Sequence, residues 1–311
     1  MISFGPIPSR RLGNSLGINN IVSRKVCSYS CIYCQVGLTR KFSISREKFY
    51  EPAKIAAEVG KHLGKLTKKP DYLTFVSNGE PTLDLNLGKS IERLKDFGIP
   101  IAVITNASLL YDPNVRKELA LADWVSVKVD TGSETIWDKL NRPHPDLSFK
   151  RYTEGLRSFS LEYKGVLVSE TMLVMGVNDQ PNLLNETASL IRQINPQKAY
   201  ISVPTRPPAL PSVMRADETT VNEAFQIYTE AELHPELLLG FEGVNTGFTG
   251  NAIEDIVNIC TVHPIREDTM TELLRKDHAD PITLDLLLHG KYIKRVNYNN
   301  NHFYIRNFAR Q

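Results

Sequence analysis

Apolar and polar positions alternate between two textures along the middle of the chain. Short β-branched runs occur in "SLGINNIV" (15–22), "DYLTFVS" (71–77), "IPIAVIT" (99–105), "DWVSVKV" (123–129), "GVLVSETMLVM" (165–175) and "KAYISVP" (198–204). Longer segments with helical spacing separate them, at about 50–66, 86–96, 112–121, 148–161, 182–194 and 217–231. In the first of these, Ile55, Ala56, Val59 and Leu63 make one apolar stripe. Asp179 and Pro181 mark the start of the fifth. Strand then helix, six times over, predicts a parallel sheet with crossover helices. Apolar strands of this kind are buried on both faces. Six units suit a partial (β/α)6 barrel; a doubly wound sheet has the same periodicity. Either way, ligands sit at the C-terminal ends of the strands.

The texture changes near residue 251. "NAIEDIVNICTV" and "REDTMTELLRKDH" read as helices, and "PITLDLLLHG" as a third that stops near Gly290. "YIKRVNY" and "HFYIRNF" read as two strands joined by asparagines, which tolerate left-handed turns. Residues 1–250 are therefore expected to form the barrel. Residues 251–311 are expected to form a small domain of winged helix-turn-helix type.

Composition narrows the function classes. Of 311 residues, 41% are apolar and 23% charged, and the net charge of +2 argues against a dedicated polyanion binder. No apolar run is long enough for a membrane span. The N-terminus has no secretory h-region, so the cytoplasm is the expected location.

Three of the four cysteines crowd into "CSYSCIYC" as Cys27, Cys31 and Cys34. A reducing compartment disfavours disulfides, and clustered thiols there point to a metal or a cluster. Three thiolates are one short of a closed four-ligand site. A structural zinc would need a fourth ligand, and no histidine precedes His62. Inert buried thiols are a further alternative. If a [4Fe–4S] cluster binds, one iron is left without a protein ligand.

Period two puts Ser126, Lys128 and Asp130 on one face of the fourth strand and Val125, Val127 and Val129 on the other. Polar groups facing a barrel interior need partners, and either a ligand or a mutual Lys128–Asp130 pair would serve. Thr105 and Asn106 end the third strand, where Asn106 could line a pocket or cap a turn. Glu170 sits in an apolar strand and Asn178 just beyond it. Thr205 and Arg206 follow the sixth strand, where Arg206 could grip an anionic substrate group. Arg10 and Arg11 form a basic pair in a loop ahead of the first strand. "NRPHP" (141–145) and "TGFTGN" (246–251) are expected to lie over the barrel mouth, and Cys260 and His263 receive no role.

The cysteine motif, with Tyr33 before its last cysteine, resembles the signature of the radical S-adenosylmethionine (SAM) superfamily. The similarity covers about residues 15–235. The opening "FGPIPSRRLGNSLGINNI" further resembles an iron–sulfur oxidoreductase group related to the tRNA wyosine-base synthases. The resemblance implies a [4Fe–4S] cluster on Cys27, Cys31 and Cys34 whose open iron chelates SAM. It also implies reductive cleavage of SAM to a 5′-deoxyadenosyl radical that takes hydrogen from a substrate. "SNGEPTLD" looks like the superfamily's SAM-binding GGEP motif, with Asn78 departing from it and Gly79, Glu80 and Pro81 matching. Gly79, Glu80, Pro81, Asn106, Ser126, Lys128, Asp130 and Tyr33 are the implied cofactor contacts. Glu170, Asn178 and Arg206 are the implied substrate contacts. An external electron donor of flavodoxin or ferredoxin type follows as partner.

The tail suggests the substrate. Lys291, Lys294, Arg295, Arg306 and Arg310 interleave with Tyr292, Tyr298, Phe303, Tyr304 and Phe308, with no acid from 289 to 311. That mixture suits RNA such as tRNA; a protein substrate is also compatible with the winged helix. Alternatively, the substrate is a small metabolite, or the chain is a non-enzymatic redox sensor that binds DNA.

Overall fold

The computed structural model describes residues 2–21, 25–240 and 243–307. Val22, Phe308 and Arg310 lie outside the described residues.

The strands are β1 (Ser3–Ser9), β2 (Gly13–Ile18), β3 (Val26–Cys27), β4 (Lys41–Phe42), β5 (Tyr72–Phe75), β6 (Ile101–Thr105), β7 (Trp124–Lys128), β8 (Val166–Met172), β9 (Lys198–Ser202), β10 (Pro235–Leu238), β11 (Ile265–Arg266), β12 (Ile293–Tyr298) and β13 (Asn301–Arg306). The helices are α1 (Pro52–Leu63), α2 (Leu87–Leu94), α3 (Pro113–Leu119), α4 (Glu134–Leu140), α5 (Phe149–Glu162), α6 (Pro181–Ile194), α7 (Glu218–Glu230), α8 (Ala252–Val262), α9 (Glu267–Lys276) and α10 (Ile282–His289).

The six expected strands are β2 and β5–β9, parallel and in sequence order. Two more strands widen the sheet to eight. β1 pairs antiparallel with β2, and β10 pairs parallel with β9. Arg10 and Arg11 therefore lie in a hairpin turn between two strands, not in a loop ahead of the first one. β1 escapes a period-two reading because "SFGPIPS" carries two prolines and a register shift. Its edge position tolerates both.

The sheet curls into an open half-barrel, the expected partial barrel. Leu12, at the β1–β2 turn, packs with Ala102, Trp124, Val168 and Tyr200 from β6–β9 across the curl. That apolar layer plugs the lower end. On the outer face, Val125, Val127 and Val129 are fully buried against the helices. Each such side chain contributes about 1.5–3 kcal/mol relative to exposure. Their alternation turns Ser126 and Lys128 inward, as predicted.

Beyond residue 250, α8, α9 and α10 pack with a three-stranded sheet of order β11-β13-β12 around a second core that includes Ile256, Ile259, Met270 and Leu273. Asn299 and Asn300, at φ 47° and 58°, make the hairpin turn. Phe4 of β1 belongs to this second core, so the edge strand is shared. "TGFTGN" lies against β1, with Gly247 N donating to Pro6 O at 2.5 Å. No helix among the described residues is long and apolar enough to cross a membrane.

Candidate active site

The cysteine loop is built on β3. Val26 N donates to Asn78 O at 3.3 Å, and Glu80 N donates to Val26 O at 3.0 Å. Gly79 lies between, at φ +139°, and a Cβ there would sit 1.7 Å from Val26 O. Only glycine fits that approach. The "NGEP" turn thus docks the strand that carries Cys27. Past it, Cys34 N donates to Cys31 O (3.2 Å) and Gly37 N to Cys34 O (3.0 Å), which folds the remaining cysteines into successive tight turns. Ile32 N donates to Leu140 O and Leu210 N to Ile32 O, both at 3.0 Å, and these clamp the loop from two sides.

Each sulfur accepts a nitrogen donor. Cys27 Sγ takes Tyr29 N at 3.4 Å and Asn106 Nδ2 at 3.6 Å. Cys31 Sγ takes Asn141 Nδ2 at 3.5 Å, and Cys34 Sγ takes Lys25 Nζ at 3.1 Å. Burial pushes the Cys27 thiol up to about 12 and Cys31 to about 11, so ligation at these sulfurs must displace protons. Among the described residues, no three Cys, His, Asp or Glu groups close around a single ion. A cluster makes no such demand, because each thiolate serves its own iron. Three donor-supplied sulfurs on one loop fit a cluster.

Beside the loop lies a buried polar chain. The Tyr33 hydroxyl donates to Asp130 Oδ2, which also accepts from Asn141 Nδ2 at 2.7 Å. Lys128 Nζ is 3.3 Å from both Asp130 Oδ1 and Glu170 Oε1, and 5.2 Å from the centroid of the Tyr33 ring. Arg11 reaches up inside the curl to pair with Glu170. Burial would raise the Glu170 carboxyl, but Arg11 and Lys128 together hold it down at about 2. Burial would equally lower the Lys128 ammonium, but Asp130 and Glu170 outweigh it and its pKa is raised. One face of this network meets the cysteines through Asn141.

The expected residues divide into two groups. Tyr33, Asn106, Lys128, Asp130 and Glu170 gather at the mouth with the three cysteines. Ser126 lies in the same interior, with its Oγ buried and without a hydrogen-bond partner. Asn106 caps the turn, its Oδ1 accepting from Ser108 N at 2.9 Å, while its Nδ2 lies 3.6 Å from Cys27 Sγ and 2.9 Å from Ser28 Oγ. The Glu80 carboxylate accepts from Thr82, Thr105 and Asn106 and braces the turn. Pro81 opens that turn, and its carbonyl accepts Asn20 Nδ2 at 3.1 Å.

Asn178 corrects the expectation of a substrate contact. It is buried, and its amide bonds Asp130 O, Met172 O and Val174 N. Those three backbone bonds occupy the side chain in closing the β8 turn. Arg206 leans on the cysteine loop, with Nη1 3.2 Å from Gln35 Oε1. Of the tail aromatics, Phe303 and Tyr304 are buried in the small domain, and the Tyr298 hydroxyl donates to Pro204 O at 3.1 Å. Cys260 sits in the second core and donates to Tyr304 O at 3.4 Å.

Sequence reasoning missed Lys25 and Asn141 and undervalued Arg11. Lys25 stood in plain view two residues before Cys27. Asn141 comes from "NRPHP", expected over the mouth, but its bonds to Cys31 and Asp130 no local pattern encodes.

Comparison with known proteins agrees with this arrangement. The model of the radical SAM superfamily matches residues 21–186. A UPF0026 protein of Methanocaldococcus jannaschii is 43% identical over 98% of this chain and 96% of its own length. A UPF0026 protein of Helicobacter pylori is 35% identical over 66% of this chain and 67% of its own. Among solved structures, a radical SAM methyltransferase from Sphaerobacter thermophilus superposes with a TM-score of 0.57 at 17% identity, covering 72% of this chain and 66% of that one. A structure of TYW1 with a lysine–pyruvate adduct bound gives a TM-score of 0.50 at 13% identity, covering 94% and 80%. At such identities the two structures bear on fold alone.

Proposed function

We propose, from the premise that this chain belongs to the radical SAM superfamily, that Cys27, Cys31 and Cys34 hold its cluster and that it is an enzyme acting at this barrel mouth. The superfamily uses a [4Fe–4S] cluster and SAM, and its enzymes generally need an external reductant. The observation that carries the reading is the set of three sulfurs, each met by a nitrogen donor, beside a buried polar network. When bound, the cofactors supply one-electron cleavage of the sulfonium to methionine and a hydrogen-abstracting 5′-deoxyadenosyl radical.

The chain's own part is to bind, orient and exclude water. Gly79 and Glu80 hold the Cys27 strand in place. Ser126 offers an unsatisfied buried hydroxyl, and Lys128, with Asp130 and Tyr33, offers an ammonium and acceptors suited to the carboxylate and ribose of SAM. Glu170 and Arg206 face the substrate side. The described residues 251–307 act as a winged-helix-like unit whose core takes in Phe4 of the barrel's edge strand. The order helix, short strand, two helices and hairpin supports that reading. The unit brings in a macromolecular substrate such as tRNA, with the exposed Lys291 and Lys294 toward the nucleic acid. A flavodoxin or ferredoxin supplies electrons in the cytoplasm.

One observation favours a small metabolite instead. A cleft of about 410 Å³, lined by Arg206, Arg215, His263 and Asn300, lies where the barrel meets the tail. That volume falls in the small-ligand range.

Anaerobic reconstitution followed by SAM and dithionite tests the enzyme reading. The expected products are 5′-deoxyadenosine and methionine in equal amounts. Methylthioadenosine as sole nucleoside product would refute it. RNA that copurifies and is released by salt would favour the macromolecular substrate.

A further inference from the structure

Lys25 is 4% exposed. Its Nζ lies 3.1 Å from Cys34 Sγ and 2.6 Å from Gly37 O. A buried ammonium loses several kcal/mol of hydration and needs a compensating charge. Lys128, partly buried, has two carboxylates at 3.3 Å. Lys25 has sulfurs. Neutral thiols compensate an ammonium poorly, whereas iron-bound thiolates carry the charge that it lacks.

We infer that Lys25 is a positioning residue for the charge of the cluster: its ammonium, donated to Cys34 Sγ, stabilises the reduced cluster over the oxidised one. The inference rests on the cluster site proposed above. Reduction adds one negative charge, so a fixed cation beside a ligand sulfur favours the reduced form. Hydrogen bonds to sulfur and local net charge are among the factors that set cluster potentials. The other sulfurs receive neutral amide donors, which leaves Cys34 as the one met by a full charge. A lysine that merely tied Gly37 O into the turn would leave the potential where it is.

The test is an anaerobic redox titration of the reconstituted full chain, read by the spin signal of the reduced cluster, after iron and sulfide per chain have been measured. Wild type is compared with Lys25→Gln, Lys25→Met and Lys25→Arg. At a fixed potential, the neutral variants should show a reduced-to-oxidised ratio about tenfold lower, equivalent to about 59 mV for a one-electron couple. Lys25→Arg should stay within about twofold of wild type, since it keeps the charge. An unshifted ratio in a neutral variant that holds its cluster overturns the inference, as does an equal fall in Lys25→Arg. If Lys25→Arg alone assembles a cluster, the cation serves assembly rather than the potential and the inference falls. If Lys25→Arg fails to assemble along with the neutral variants, the role is steric and the inference falls. Absence of a cluster from the wild type would instead sink the cluster site itself.

Discussion

A buried lysine and a partly buried one stand at the barrel mouth, and the protein answers them differently. Lys128 stands in a closed circuit of Asp130, Glu170, Arg11 and Tyr33, whose charges and hydrogen bonds come from the chain itself. Lys25 stands against Cys34 and a carbonyl, with sulfur as its counter-charge. The first region is electrostatically complete on its own. The second is complete only when its sulfurs carry negative charge. Neutral thiols would leave Lys25 without an opposite charge, whereas Lys128 meets two carboxylates of the chain at the place proposed for cofactor binding. The fourth cysteine sharpens the contrast. Cys260 donates its proton to a carbonyl in an apolar core and behaves as a small hydrophobe.

The largest effect should come from the sulfurs. Cys27→Ser, Cys31→Ser or Cys34→Ser should each abolish bound iron after reconstitution, while Cys260→Ser keeps the full content. Iron and acid-labile sulfide per chain decide it. Full iron in any of the first three, or loss in the fourth, would break the division between ligand and core cysteines.

Removing the cluster from the intact protein should act on one region and spare the other. With its counter-charge gone, Lys25 loosens the turns at Cys34 and Gly37. Amide exchange there should speed up about tenfold, the effect of roughly 1.4 kcal/mol, which lies within the cost of an unsatisfied buried group. Met172 N and Val174 N, held by Asp130 and Asn178 at 2.8 Å each, should change less than about twofold. Exchange mass spectrometry of holo and apo protein reads both at once. Equal acceleration in the two regions would erase the contrast.

What was legible in the sequence follows the same line. The apolar alternation of β5–β9 and the inward row of Ser126, Lys128 and Asp130 could be read directly, because period two is a local property of the backbone. The cysteine spacing was legible because turn geometry needs those residues close together in sequence. β1 was not, because prolines and a register shift break its period. The partners of the site were hidden for a different reason. Asn141 lies 110 residues from Cys31 and Arg11 lies 159 from Glu170, and only the curl of the sheet joins them. The full engagement of Asn178 with backbone was equally invisible, since it depends on where three backbone groups end up.

A last measurement tests whether the Lys128 region supplies its own charge. Glu170 is held at about 2 against an ordinary value of 4.5, with Arg11 and then Lys128 overcoming the upward push of burial. A carboxyl depressed in the folded state stabilises the fold fully above its unfolded value. That stabilisation is lost as pH falls from about 4.5 toward about 2. The interval is worth about 3 kcal/mol. Denaturant unfolding of wild type and Glu170→Gln across that range should therefore give a steeper acid slope in wild type. At pH 7 the variant should be the less stable, because Arg11 and Lys128 keep their charges and lose an acceptor. Lys25→Gln should leave the acid slope as it is in wild type, since sulfurs rather than carboxylates act most strongly on that lysine. Parallel slopes for wild type and Glu170→Gln would show that the acid sensitivity lies elsewhere. The circuit around Lys128 would then be no more self-sufficient than the cysteine loop.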